Sequence, residues 1–287
     1  MTKINREEYM DWLIRWKDRQ IIKVVSGVRR CGKSTMFDMF REYLLTDGVS
    51  RSQIIMLNFE DIEYEEITDY QKLYYYIKDR LIPDQMNYIF LDEIQHVADF
   101  EKAVDSLFIK ENCDVYITGS NAYFMSGELA TLLSGRYVEL KMLPLSFAEF
   151  CSTLTETDFS LQQKFSRYLE YSSFPYVTRM GLELKDAKEY LMDIYHTVLL
   201  KDVVARLNIS DITVLENVAK FLLHNVGNLA SPTKIANTLK SQGTKVDQKT
   251  VDKYLRGLTD SLLLYEAGRY NIKGKQYLTQ QCKYYAV

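Results

Sequence analysis

Long apolar runs are missing from this chain. None of its 287 residues belongs to an uncharged apolar stretch near the ~20 residues a membrane helix needs. The opening MTKINREEYMDWLIRWKDRQ is polar and charged, without the apolar centre of a signal peptide. Cysteine is scarce: Cys31, Cys113, Cys151 and Cys282 stand far apart and form no C-x-x-C pair. That excludes a disulfide frame or cysteine-held zinc and fits reduced thiols, so a cytoplasmic location is expected. The three histidines, His96, His196 and His224, lack metal spacing and are read as core or surface residues. An excess of positive charge is also missing, with 36 Lys and Arg against 39 Asp and Glu and a net charge of −3. A chain coated in positive charge for nucleic acid is thereby excluded, but a local basic patch is not.

What is present is an ordinary globular composition, 47% apolar and 26% charged. The length suits two domains at roughly 100–200 residues each. Residues 21–26, 53–58, 88–92, 115–118 and 137–140 are short β-branched or aromatic runs that predict strands. Residues 33–45, 69–81 and 100–111 carry apolar positions at helical spacing. Strands alternating with helices predict βαβ units and a buried parallel sheet. From about residue 146 strand-like runs nearly vanish, and 185–208 and 211–224 predict long amphipathic helices. The expected organisation is an α/β core over 1–145, a helical lid over 146–225 and a smaller module over 226–287. The chain stops abruptly after an apolar pair, so it is expected to be a fragment.

Gly27-Val28-Arg29-Arg30-Cys31-Gly32-Lys33-Ser34 fits G-x-x-x-x-G-K-[S/T], between a predicted strand and a predicted helix. The physical demands account for each position. Gly27 and Gly32 let the loop curl so that N–H groups, including those around Arg30 and Cys31, point at phosphate oxygens. The helix dipole adds positive potential. Lys33 is expected to reach the β- and γ-phosphates, the Ser34 hydroxyl to bind Mg²⁺, and Thr35 to give the helix a second small polar start. The run Tyr88-Ile89-Phe90-Leu91-Asp92-Glu93 supplies an acidic strand end. Asp92 would hold Mg²⁺ through water and Glu93 would polarise the attacking water, which favours hydrolysis over transfer. Ser120 and Asn121, after the fourth strand, could sense the γ-phosphate or form a plain turn. Asn58 could hydrogen-bond Glu93 and restrain it, or cap a turn. Arg136 could supply charge to the transition state in cis or in trans, or sit in a surface ion pair. Cys31 is oxidisable if a nearby lysine lowers its pKa, and otherwise a tolerated small side chain. No guanine-reading N/T-K-x-D element follows the fourth strand, which favours ATP over GTP.

With these residues in place, the chain resembles the prokaryotic AAA-type ATPases that carry a C-terminal domain of unknown function. The resemblance rests on GVRRCGKST (27–35), NFED (58–61), YIFLDEIQ (88–95), ITGSNA (117–122), SGRYVEL (134–140), LPLSFAEF (143–150), SSFPYV (172–177) and a helical Lys201-Asp202 pair. Ser172-Ser173 departs from the pair of glycines usual there. The resemblance implies a P-loop NTPase core, a helical lid and a winged-helix-like module. It also implies a continuation resembling a degenerate restriction-endonuclease fold, which is expected to follow beyond the residues given.

Residues 231–270 read independently as a helix–turn–helix. Ser231 and Pro232 cap and open a helix over 233–241, with Ile235, Ala236 and Leu239 inward. Asp247 caps a second helix over 248–264, with Val251, Leu255, Leu258 and Leu262 at core spacing, and 263–270 predicts a wing strand. Gln248, Lys249, Lys253 and Arg256 would face DNA. Residues 207–287 hold eleven Lys and Arg against six Asp and Glu, enough for several phosphate contacts. A protein-docking or scaffold role is the alternative. The expected activity is Mg²⁺-dependent ATP hydrolysis driving a switch or remodelling step. A nucleotide-gated DNA-binding regulator and a signalling ATPase with a protein partner or a homo-oligomeric state are the competing readings.

Overall fold

The computed structural model describes residues 4–119, 133, 135–154, 159–179, 183–269 and 281–286. They fall into two compact units, Met1–Lys188 and Glu189–Val287. The first is built on a five-stranded parallel sheet of β1 (Ile22–Gly27), β2 (Ile54–Asn58), β3 (Asn87–Asp92), β4 (Cys113–Thr118) and β5 (Tyr137–Met142), in the order β2-β3-β4-β1-β5. Side chains alternate across the strands. Phe90 and Tyr116 stack at 4.8 Å and meet Phe37 and Phe40 of α2 (Lys33–Thr46). Their neighbours Ile89, Leu91, Val115 and Ile117 join the opposite core, with Leu73 and Ile77 of α3 (Tyr70–Lys78) and Val104 and Leu107 of α4 (Phe100–Phe108). The sheet is thus buried on both faces, as near-continuous apolar strands require.

An amphipathic helix precedes the sheet: α1 (Glu7–Trp16), with Leu13 buried. After β5 come α5 (Phe147–Thr153), α6 (Leu161–Tyr171) and α7 (Pro175–Arg179). Ser146 and Ser160 form capping boxes with Glu149 and Gln163 at the starts of α5 and α6. These three helices belong to the same compact unit as the sheet. The Leu145 N–H donates to the Ser173 carbonyl at 2.7 Å, and the Tyr168 hydroxyl to the Leu145 carbonyl at 2.8 Å. Ser172 has φ +74°, a conformation that favours glycine.

The boundary between units falls inside α8 (Leu184–Thr197), which runs on as a π-helix over Val198–Ala205 containing Lys201 and the buried Asp202. The second unit adds α9 (Ile212–His224), α10 (Pro232–Ser241), α11 (Gln248–Asp260) and an antiparallel sheet ordered β6 (Leu229–Ala230), β8 (Cys282–Ala286), β7 (Leu264–Ala267). Ser231 and Asp247 cap α10 and α11 as expected, and α11 ends at Asp260, short of the predicted 264. Gly257 explains how α11 approaches the π-helical segment. A Cβ there would lie 2.6 Å from Leu207 Cδ1 and 2.8 Å from Val203 Cγ1. Among the described residues, no helix is long and apolar enough to cross a membrane.

Candidate nucleotide site

The loop between β1 and α2 leaves the sheet beside the point where strand order reverses, the usual crevice for a ligand in an open parallel sheet. Gly27 is fixed by crowding, because a Cβ there would fall 2.4 Å from the Met142 carbonyl oxygen of β5. Gly32 ends the loop at φ +105° and Arg30 stands at φ +67°. The other long helices start with an Asp or Ser side-chain cap or an acidic first turn; α2 has neither. Its first N–H groups and dipole are therefore open to an anion.

Lys33, the first residue of α2, is buried. Its Nζ donates to the Gly27 and Val28 carbonyls at 3.3 and 3.5 Å and lies 3.5 Å from Glu93 Oε1. All three contacts are at the long end of the range, so the ammonium is held loosely. Ser34 is exposed and Thr35 half-buried in the same turn. The Ser34 side chain hydrogen-bonds Asp92 at the end of β3. Thr118, at the end of β4, donates its hydroxyl to Asp92 Oδ1 and accepts the Glu93 N–H at 3.0 Å. Burial pushes the Asp92 carboxyl above its ordinary value, against the hydrogen bonds from Ser34 and Thr118.

Glu93 turns out of the strand in the left-handed region at φ +52°, a strained backbone for a side chain of this size. Burial would raise its pKa, but the Lys33 charge, a hydrogen bond from Gln95 and the Arg29 charge outweigh it and hold the carboxyl below the usual value. The Gln95 bond is short, Nε2 to Glu93 Oε2 at 2.6 Å. The donor set suits a magnesium–triphosphate group. A hydroxyl and a buried carboxylate lie side by side, next to a lysine and an uncapped helix start.

Between the paired readings of several residues the structure favours one. Asn58 does not hold Glu93 in this structure. Its short side chain accepts from the Glu60 N–H at 3.0 Å and closes a local turn, while Gln95 takes the restraining position. Arg136 is not available within its own chain. It precedes β5, whose Tyr137 pairs with Ile22 at the start of β1, whereas Gly27 pairs with Met142 at the other end. Five residues at roughly 3.3 Å each separate the two ends. Arg136 instead lies 3.7 Å from Asp105 and over the Phe108 ring. Cys31 is fully buried, and burial pushes its thiol up, which favours the reading of a tolerated small side chain over an oxidisable one. Ser120 and Asn121 lie outside the described residues. His96, expected to be without metal neighbours, has its ligand atoms within 4.8 Å of those of Glu60 and Glu93. Arg29 and Lys33 are already the partners of those carboxylates. Thr118 and Gln95 were missed. The signal for Gln95 was its place two residues after Glu93, and for Thr118 a hydroxyl at a strand end beside Asp92.

Comparison with known proteins agrees with this geometry. An AAA domain family matches residues 19–151, and a domain of unknown function matches 162–287. An uncharacterised protein of Haemophilus influenzae is 42% identical over 99% of the chain. Another, from Methanocaldococcus jannaschii, is 30% identical over 88% of the chain. The chain spans 71% of the first relative's length and 58% of the second's. The Walker-type ATPase PABY2304 of Pyrococcus abyssi shares the fold, with a TM-score of 0.63 at 15% identity, covering 99% of this chain and 94% of that one.

Proposed function

The chain belongs to the AAA-type P-loop ATPases whose AAA domain is followed by a domain of unknown function, and from that premise we propose that it binds ATP with Mg²⁺ and hydrolyses the γ-phosphate. The observation that carries this reading is the meeting of Lys33, Ser34, Asp92, Glu93 and Thr118 at one end of the sheet. Ser34 and Asp92 would hold Mg²⁺, which when bound neutralises charge on the β- and γ-phosphate oxygens. Loop N–H groups over Gly27, Arg30, Cys31 and Gly32, with the start of α2 at Thr35, bind and orient the phosphate chain. Lys33 pairs with its oxygens. As Lys33 turns to phosphate it leaves Glu93, whose carboxylate gains basicity because the largest influence opposing burial is removed. Glu93 accepts the proton of the attacking water.

The cycle is read as a switch or remodelling step. The test is ATP turnover by wild type, Glu93→Gln and Lys33→Ala. Glu93→Gln should keep Mg-ATP binding and lose roughly a hundredfold or more in turnover, in line with removal of a general base. Lys33→Ala should lose binding as well. Wild-type turnover in both variants would sink the assignment. A contribution of Arg136 to a second copy's site is testable by mixing Arg136→Ala with Lys33→Ala protein; activity that stays additive rules it out.

The second unit supports a further reading, DNA binding gated by nucleotide through a winged-helix-like module over 231–270. On α11, Gln248, Lys249, Lys253 and Arg256 are exposed while Val251, Tyr254, Leu255 and Leu258 face inward. Lys249→Ala with Arg256→Ala should weaken duplex binding and reduce its salt dependence. Undetectable binding at low salt, with ATP or ADP, removes this reading in favour of protein docking.

A further inference from the structure

Arg6 belongs to no motif, yet it is only 5% exposed. It stands immediately before α1, and its guanidinium reaches two distant parts of the first unit. Nη1 donates to the Cys31 carbonyl at 3.0 Å. Nη2 donates to the Leu143 and Pro144 carbonyls at 2.8 and 3.0 Å. Nε donates to Glu149 Oε1 at 3.0 Å, and Nη2 lies 3.3 Å from Oε2. Glu149 is itself fixed at the start of α5, where Oε2 accepts the Ser146 N–H at 2.7 Å. A buried guanidinium is tolerated when its donors are used, and here the fork is spent on backbone carbonyls and one carboxylate.

The consequence is directional. In a trans peptide the carbonyl of one residue and the N–H of the next point opposite ways. Anchoring the Cys31 carbonyl to Arg6 therefore turns the Gly32 N–H away from Arg6. Without the anchor this peptide is free to flip at low cost, because the residue after it is a glycine, already at φ +105°. We propose that Arg6 is a positioning residue for the phosphate loop: it holds the Cys31–Gly32 peptide so that the Gly32 N–H faces a nucleotide phosphate. It thereby ties the loop to residues 143–149. This rests on the phosphate-binding reading of 27–35.

The test compares Mg-ATP and inorganic triphosphate affinities of wild type, Arg6→Ala, Arg6→Lys and Lys33→Ala, each well below its own melting temperature. Both Arg6 variants should bind either ligand at least about tenfold more weakly, the factor for one lost charge-assisted hydrogen bond. The Lys variant shares the loss because an ammonium cannot span the Cys31 carbonyl and Glu149 as the planar fork does. In the wild type the Gly32 amide resonance should move on adding triphosphate, and in the Arg6 variants that shift should shrink. A lower melting temperature with unchanged affinity in either folded variant means Arg6 serves the fold alone, which overturns the proposal. If Lys33→Ala also binds at wild-type strength, the phosphate reading itself has failed. If Lys33 is required and the Arg6 variants bind normally, only the present proposal has failed.

Discussion

The same sheet carries a buried lysine–carboxylate pair at each end, and the two are built differently. At one end Lys23 and Asp114 are 0% and 1% exposed, and every strong group is used. Lys23 donates to Asp114 and to the Arg19 carbonyl at 2.6 Å. The other Asp114 oxygen accepts the Tyr116 hydroxyl at 2.8 Å and the Asp18 N–H at 2.9 Å, and Tyr88 donates to Asp18 at 2.6 Å. At the other end Lys33 and Glu93 sit 3.5 Å apart, and the buried Gln95 Oε1 has no hydrogen-bond partner. Burial lowers the Lys23 pKa and raises that of Asp114 despite their attraction. A closed network of this kind fixes the loop before β1 and has nothing left to offer a ligand. The looser pair has capacity to spare, which a phosphate site needs.

Breaking the closed pair should cost most. Asp114→Asn leaves Lys23 charged and unpaired, and should lower unfolding free energy by about 3–5 kcal/mol in urea melts. Mg-ATP affinity in the folded fraction should stay near wild type; a parallel loss would mean the two ends are not independent. At the other end, Lys33→Ala should change the pH dependence of stability. In the wild type the Glu93 pKa is depressed, so its contribution is present above the unfolded carboxylate pKa and fades as pH falls through the folded value. In the variant the largest influence opposing burial is gone, and the Glu93 pKa rises although the Gln95 bond and the Arg29 charge still act on it. The stability gap between wild type and variant should therefore narrow on acidification, and a widening gap would contradict the assigned pairing.

Gln95→Ala tests whether the short bond to Glu93 is a restraint. Basal turnover should rise roughly two- to fivefold with Mg-ATP affinity unchanged, the range expected for one modest hydrogen bond. A fall in turnover would make Gln95 a support for the active carboxylate instead. The smallest effect lies away from both ends. Ser172→Gly, relieving a positive φ, should raise stability by about 0.5–1 kcal/mol by thermal denaturation.

The strands and the phosphate loop were legible because their signals are local: β-branched runs, a glycine-framed loop of eight residues, and an acid at a strand end. Apolar spacing at Tyr9, Leu13 and Trp16 could have revealed α1 as well. Arg6 and Lys23 were not legible, since their partners, apart from the Arg19 carbonyl beside Lys23, lie 25 to 143 residues away and only the fold brings them together. For Arg136, the choice of the ion pair over a role in cis was one the sequence already held. In an all-parallel sheet, the residue before a strand lies at the end away from the phosphate loop.

The bare start of α2 makes ligand binding and folding parts of a single equilibrium. Its opening turn lacks an internal cap, so an anion bound there would complete the helix and lower the folded state's free energy alone. At a hundred times its dissociation constant, a nucleotide would add about 2.7 kcal/mol to the protein's stability. Such a protein would resist heat and proteolysis according to the cell's nucleotide supply, and its lifetime would record occupancy even where no turnover is seen.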